Sequence, residues 1–407
     1  MFIGHTRFSL YQPGSTAWHA SNRFATQDEY RDYLFSAERL DPRMDIFLSM
    51  ALPQLDLAAR NYELRHVVSY STLLPLPYQR QLEAAAHKYP WLVLDKVALR
   101  SPHVDPMSYA QAGMVGSYRL DDDDILPTDY FDRVTPYLTE AFTGMLVSLA
   151  AGLTAIYRDG GLYFTRRAYV PMIAIGLLSI HRKYEDGSID SPPAAAHNYS
   201  DRAAPVILDS RKPGYIWVRH IEQDTNVRSQ HLSEEQRLKN LVTFMEERPA
   251  ASDKAEVSEY FPVLQDRIHS GLEPGETLQV LVSDPTIVPP EGLPVEVDPI
   301  HGEVELIAKV RPDPAAVRRN VLLSLELRDQ DENPVGPERA DELRELGLSY
   351  SPRAGYYKYL RTEPGRFDTR LTFTLPDGVT LTGATARRWH RPETRVRIDE
   401  LVLTSRA

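Results

Sequence analysis

The first 130 residues alternate strand-like and helix-like segments, and this alternation restricts the fold more than any other feature of the chain. Met1–Leu10 reads as a buried first strand. Thr26-x-x-Glu29 is a capping box, in which the Thr hydroxyl and the Glu side chain satisfy open backbone donors, and it predicts a helix over Asp28–Ser36. Asp41-Pro42 offers a second helix start, with Pro at the first helical position. Leu64–Tyr70 reads as a second strand. Pro77–Tyr89 carries Leu82, Ala85, Ala86 and Tyr89 at helical spacing. Trp91–Leu94 and Met114–Leu120 are further short strands, expected as neighbours in one sheet. Strands that alternate with helices predict an α/β layer architecture with a mainly parallel sheet flanked by helices.

In such sheets ligands bind beyond the carboxyl ends of the strands. Asp121-Asp122-Asp123-Asp124 follows Met114–Leu120 directly and so falls at such an end. Four adjacent carboxylates repel one another, and the run is tolerable when it is solvated or neutralised by a cation. Hard divalent ions choose carboxylate oxygens. A metal held here could bridge the phosphates of a leaving diphosphate. The competing reading is a solvated acidic loop that caps the next helix.

Beyond Asp124 the pattern predicts a helix from Pro127-Thr128 to Tyr137, a hairpin within 145–166, a helix over Pro171–Tyr184, and short strands at Pro205–Asp209 and Gly214–His220. Ser233-Glu234-Glu235-Gln236 is another capping box. Pro249–Ser258 suggests a linker. Past Gly275 the chain turns to short strands with period-two alternation, punctuated by Pro and Gly, which predicts an antiparallel β-sandwich of jelly-roll type. The expected organisation is therefore a first domain over 1–248, a linker over 249–269 and a sandwich over 270–407.

The chain of 407 residues contains no cysteine, which excludes disulfides, thiolate catalysis and zinc–thiolate sites. A formal net charge of −11 argues against nucleic acid as a partner. No signal peptide and no bilayer-length apolar run is recognisable, so a cytoplasmic protein is expected, with peripheral membrane contact left open. Walker A, GxGxxG, HExxH and GxSxG motifs do not occur.

A strand followed by D-x-D-D resembles the GT-A glycosyltransferases, and the wider context resembles a bacterial rhamnosyltransferase family. The residues that carry the likeness are Arg7-Phe8-Ser9, Tyr33-Leu34-Phe35-x-x-Glu38-Arg39-Leu40-Asp41-x-Arg43, Leu52-Pro53, Leu64–Ser69 with Leu74-Pro75 and Tyr78, and Arg119–Asp124. They span roughly residues 1–245. The resemblance implies transfer of a sugar, rhamnose among the candidates, from a nucleotide diphosphate sugar to a saccharide, glycolipid or other hydroxyl acceptor, with Mn²⁺ or Mg²⁺ as cofactor. By position it implies Asp121 near the ribose or metal-bound water, Asp123 as direct metal ligand and Asp124 on the donor sugar or the metal. A register one residue later is equally compatible with a run of four identical residues.

The resemblance also implies a late metal ligand, and His220 at the end of Gly214–Val218 is best placed, ahead of His181, His197 and His231. Arg7 at the first strand's end could reach a phosphate or the base. Thr6 and Ser69 could hydrogen-bond base or ribose, and Arg119 could touch phosphate or neutralise the acidic run. An inverting reaction needs a carboxylate base. Glu185-Asp186 is the best-placed pair, with Asp159 and Asp209 as alternatives and a solvated turn acid as the simpler reading of each. In the last domain Tyr350, Tyr356, Tyr357, Tyr359, Trp389 and His390 could stack on sugar rings or pack as core. A non-catalytic carbohydrate-recognition protein on a decayed GT-A scaffold is the competing function.

Overall fold

The computed structural model describes residues 1–13, 24, 26–223, 232–246, 254–269, 276–312, 319–360, 362 and 368–406. The chain divides into two compact units, Met1–Pro249 with Ala255–Ile268, and Ala250–Lys254 with His269–Ala407.

The first unit opens with strand β1 (Phe2–Phe8), then helices α1 (Gln27–Leu34) and α2 (Ala37–Asp45), a π-helical turn Ile46–Ala51 and helix α3 (Leu52–Ala58). Strand β2 (Leu64–Ser71), helix α4 (Leu76–Lys88) and strands β3 (Leu92–Val97) and β4 (Gly113–Arg119) follow. Then come β5 (Asp124–Ile125), α5 (Tyr130–Val134), β6 (Leu146–Ser148), β7 (Ala151–Arg158), β8 (Gly161–Tyr169), β9 (Leu178–Lys183), β10 (Ile189–Asp190), β11 (Val206–Leu208) and β12 (Ile216–Arg219). Helices α6 (Glu234–Glu246) and α7 (Lys254–Tyr260) close the unit.

The central sheet runs β11-β6-β9-β4-β1-β2-β3, with β10 added beside β9. β1 pairs in parallel with β2 and β4, β2 with β3, and β11 with β6. β9 runs antiparallel to both β4 and β6. The sheet is therefore mixed and mainly parallel around β1. β3 and β4 share it without touching, because β2 and β1 lie between them. That corrects the expected adjacency: neighbours in sequence are not neighbours here, because the chain crosses over between β3 and β4. A second sheet, β5-β12-β7-β8, contains the β7–β8 hairpin.

Local chemistry explains most of these elements. The Thr26 hydroxyl accepts from the Glu29 amide at 3.1 Å, as a capping box requires. α2 is capped at Ser36 rather than at Asp41, and Pro42 lies inside it. The helix tolerates the missing donor because buried Leu40, Met44, Ile46 and Phe47 hold it against Phe8 and Val68 of the sheet. Residues 171–184 form no helix. Gly176 adopts φ +63°, where a Cβ would stand 2.7 Å from Leu126, and β9 begins two residues later. The expected linker also differs, since 255–268, which carry most of α7 and a 3-10 turn, belong to the first unit, while 249–253 lie outside the described residues.

The second unit contains two antiparallel sheets of five strands each. One is built on Glu276–Val282, Val396–Arg406, Gly302–Pro312 and Asp368–Leu375, the other on Leu293–Ile300, Thr380–Arg388, Val321–Arg328, Gly355–Leu360 and Ser349–Ser351. Alternate residues such as Leu306, Leu323, Tyr356, Ala384 and Leu403 interdigitate in one core. Among the described residues no helix is long and apolar enough to cross a membrane.

Candidate functional site

The acidic run is pinned from both ends. The Leu120 amide donates to the His5 carbonyl at 3.1 Å, and its carbonyl accepts from the Thr6 hydroxyl at 2.6 Å. At the other end Asp124 and Ile125 pair with Trp217 and Ile216 of β12, and the Asp124 amide closes a turn onto the Asp121 carbonyl at 3.2 Å. The loop therefore cannot swing into solvent. Asp122, Asp123 and Asp124 are only 3%, 7% and 4% exposed. Asp121 stays half-exposed, gripped by Arg119 through Nε and Nη2 at 2.8 and 2.9 Å. The solvated-loop reading does not survive this burial.

Buried carboxylates need partners. Arg43, on α2, donates to Asp122 and stands 3.2 Å from Asp123 Oδ2. His220 Nε2 reaches the same Oδ2 at 3.3 Å, as does Gln223 Nε2. Burial opposes ionisation of Asp123, but Arg43, His220 and Gln223 outweigh it and hold the carboxyl below its ordinary range. Burial pushes Asp122 up to about 6 despite Arg43. Burial raises Asp124 well above the carboxylate range, reinforced by Asp123 and Asp121. Burial lowers His220, so it is neutral at pH 7. Asp124 Oδ1 and Gln223 Oε1 are buried acceptors with no hydrogen-bond partner among the described residues.

Apart from His220, which stands behind Asp123 and Gln223 in contact with Asp123 alone of the acidic run, these groups line a cavity of about 230 Å³. Five guanidiniums face it, from Arg7, Arg39, Arg43, Arg119 and Arg219, against the four aspartates. Five guanidiniums against at most four carboxylates, of which Asp124 resists ionisation, leave the cavity net cationic at neutral pH. Arg39 is held by Ser9 Oγ at 2.8 Å and the Leu34 carbonyl at 3.2 Å. Arg219 stacks on Trp217 at 4.2 Å and on Phe244 at 4.9 Å. Arg7 is lowered to about 10 by burial and by the like charge of Arg119. Adjacent fixed cations of this kind suit a phosphate-bearing anion.

The remaining candidates divide sharply. Thr6 and Ser69 are fully buried and line no part of this cavity. Thr6 accepts from His66 Nε2 at 2.8 Å; Ser69 accepts from His5 at 3.0 Å and donates to Asp95 at 2.8 Å. Both act as internal joints between β1, β2 and their neighbours. Glu185 and Asp186 are exposed in the turn after β9. Because β9 is antiparallel to β4, with Lys183 opposite Gly113, this turn lies at the amino end of β4. That is roughly 20 Å of strand from the acidic loop at about 3.3 Å per residue. The pair is therefore at the wrong edge to serve as base, an error that follows from reading 171–184 as helix. Asp159 is exposed in the β7–β8 turn, and Asp209 is held by Arg211 at 3.0 Å. His181 bridges Ser117 and Ser191, each at 2.8 Å, and His197 is exposed. His231 lies outside the described residues.

Arg39, Arg43, Trp217, Arg219 and Gln223 had no role in the sequence reading of the site. The spacing of Arg39 and Arg43 carried a signal: residues four apart share one helix face, and two cations on a face also lined with apolar residues need buried anions. Among the described residues no three His, Asp or Glu side chains converge to hold a metal ion. Asp123 and His220 form a pair, and Asp121 is turned to Arg119.

A family model described as Putative rhamnosyl transferase matches residues 1–231. No curated protein matches the chain.

Proposed function

The chain belongs to this rhamnosyl transferase family, and from that premise we propose that its first unit is a GT-A-type glycosyltransferase that takes a sugar, rhamnose foremost, from a nucleotide diphosphate sugar to a saccharide or glycolipid hydroxyl, in the cytoplasm. One observation supports the reading above the rest: a buried acidic loop at the carboxyl end of β4 lines a net cationic cavity, and its Asp123 is met by His220 from a late strand. A carboxylate–imidazole pair in this position suits a cation, and the surrounding guanidiniums suit the diphosphate that the cation would accompany.

The donor set fits Mn²⁺ or Mg²⁺ in a limited way. Asp123 and His220 would be its protein ligands. Mg²⁺ is commonly bound by one or two carboxylates plus substrate phosphates rather than by a full protein cage, so two ligands agree with an ion that arrives with the donor. When bound it would supply Lewis-acid stabilisation to the departing diphosphate. The chain's own residues do the rest. Arg43 keeps Asp123 ionised, Arg7 and Arg119 face the phosphates, and Asp124 offers Oδ1 to a donor hydroxyl.

In the second unit Tyr356 belongs to the core, while Tyr357 and Tyr359 are half-buried on the opposite strand face, beside His390, whose ring stacks on Tyr359 at 6.2 Å. We assign saccharide contact in this unit to that second group.

The deciding experiment is a screen of UDP-, dTDP- and GDP-sugars for Mn²⁺-dependent hydrolysis and thermal stabilisation. Metal-dependent cleavage of one donor is expected. Stabilisation by free saccharides alone, with no nucleotide effect, would favour a non-catalytic recognition protein.

A further inference from the structure

In the second unit Tyr356 and Leu360 of Gly355–Leu360 enter the core, so Tyr357 and Tyr359 lie on the outer face of their sheet. Cross-strand register continues that face. Tyr359 lies opposite Leu322, and Leu322 opposite Arg387. Tyr357 lies opposite Ser324, and Ser324 opposite Thr385, so its neighbours in the row are small and hydroxylated. Trp389 and His390 follow Thr380–Arg388 directly, and the Trp389 amide donates to the Asn320 carbonyl at 2.7 Å, which seats this ring beside Arg319. The Tyr359 ring meets Tyr357 at 5.1 Å and stacks on His390 at 6.2 Å. Tyr357, Tyr359 and Trp389 are half-buried and His390 is exposed.

Arginines accompany these rings. The Arg319 guanidinium stands 5.5 Å from the centre of the Tyr359 ring, and that of Arg353 stands 4.9 Å from the centre of the Trp389 ring. Arg387 joins them from the row of Tyr359. All three are exposed, and none forms an ion pair among the described residues. Elsewhere in the unit Lys309, Arg311, Arg339, Arg344, Arg370 and Arg397 are each paired with a carboxylate. A guanidinium laid on a ring is fixed by the π-face, while its N–H donors stay in its own plane and remain open to an anion. Glu296 and Glu326 flank Gly383 on the same face. They are about 13 Å along the strand from Arg387, farther than the Debye length of about 8 Å in physiological salt.

We propose that this face binds an anionic polysaccharide, with Tyr357 and Trp389 against the C–H faces of its sugars and Arg319, Arg353 and Arg387 on its carboxylate or phosphate groups. This rests on the saccharide contact assigned above to Tyr357, Tyr359 and His390, and adds the charge class of the saccharide. A neutral glycan would leave three stacked or exposed guanidiniums with nothing to neutralise. Single-stranded nucleic acid fits less well, because successive stacked bases ask for parallel ring faces and the Tyr357 and Tyr359 rings stand at 77°.

The test is affinity electrophoresis of the full chain in gels that hold polygalacturonate, a phosphomannan or dextran, with oligothymidylate binding measured beside it by fluorescence anisotropy. Polygalacturonate or phosphomannan should retard the native chain, and dextran should not. The stronger of the two anionic polymers identifies carboxylate or phosphate as the recognised group, and its hold should weaken as salt rises. Combined Arg319→Gln, Arg353→Gln and Arg387→Gln should weaken that binding by about tenfold or more. Arg387→Glu alone, at an exposed strand position, should weaken it in the same direction if the triple variant does not fold. Failure of the anionic polymers to retard the native chain, equal retardation by dextran, tighter binding of oligothymidylate, or native-like binding by a folded variant would each overturn the proposal. Donor cleavage by the native chain is measured separately. Its absence would sink the transferase reading and leave an arginine-dependent polysaccharide contact standing.

Discussion

Arg43 and Asp122 are 79 residues apart in sequence and form a buried ion pair that ties α2 to the end of β4. The same guanidinium stands 3.2 Å from Asp123, so one arginine balances two adjacent carboxylates. Removing one partner of a buried pair leaves an uncompensated charge and costs about 3–5 kcal/mol. Arg43→Met should therefore lower the stability of the first unit by that order, as read by urea unfolding. Asp122 would then bind a proton more readily, so the loss should be smaller at pH 5 than at pH 8. Arg43→Met with Asp122→Asn should recover part of it. Native-like unfolding of Arg43→Met would show that the pair does not hold the loop.

The sequence made this loop visible but not its support. A strand followed by four aspartates marks a carboxyl-end loop, because the strand's apolar residues fix where the sheet stops. The arginines that neutralise the loop lie on a helix whose orientation only the packed sheet defines. β9 was hidden for a different reason. Leu178–Lys183 follows the apolar run Met172–Leu177, and short apolar runs satisfy helix and strand periods alike. Misreading it reversed the placement of Glu185 and Asp186, since strand direction decides which edge a turn occupies. His220 was legible because β12 is short and bounded by Gly214 and a polar segment.

Buried histidines should make the first unit acid-sensitive. His66 donates from Nε2 to Thr6 at 2.8 Å, since the Thr6 hydrogen goes to Leu120, and accepts at Nδ1 from Tyr118 at 3.1 Å. Burial lowers its pKa from 6.5 to about 3, aided by His5. His5 is lowered to about 4 by burial and by the His103, Arg7 and Arg119 charges, and His181 to about 4 by burial. In each case the folded pKa is below the unfolded one. Their contribution is complete above about pH 6.5 and is lost as pH falls toward 4 and below. The melting temperature should therefore drop between pH 7 and pH 5. His66→Gln should flatten that slope while lowering stability at pH 7. An unchanged slope would exclude His66 as a source.

Gly4 lets β1 pass beneath these groups. A Cβ at Gly4 would lie 2.1 Å from His66 Nδ1 and 2.7 Å from the Tyr118 ring. Both neighbours are buried, and both are committed to hydrogen bonds. Gly4→Ala should cost about 1–3 kcal/mol through overpacking, measured by chemical unfolding. A neutral or stabilising effect would mean that the His66–Tyr118 contact is looser than the structure describes.

His220 carries the last expectation, because it is the residue that separates a metal-assisted site from an arginine-only one. Its Nε2 and Asp123 Oδ2 are 3.3 Å apart, a separation that one ion at about 2.0–2.2 Å from each could bridge. The contact can also be a hydrogen bond from a neutral imidazole, since burial lowers the His220 pKa. The two cases respond differently to His220→Asn. If the imidazole is a ligand, the Mn²⁺ concentration for half-maximal donor cleavage should rise about tenfold or more, while the rate at saturating metal recovers. If it only donates to Asp123, Asn restores the donor and the metal requirement stays unchanged. Protons compete with metal for the imidazole, and its lowered pKa puts that competition below the usual histidine range, so metal affinity should hold from pH 8 to about 6.5 and weaken only in more acidic buffer. A metal requirement that ignores both the substitution and the acid limb would remove His220 from the metal's ligands, and the absence of any metal requirement would leave Arg7, Arg43 and Arg119 as the cations of the site.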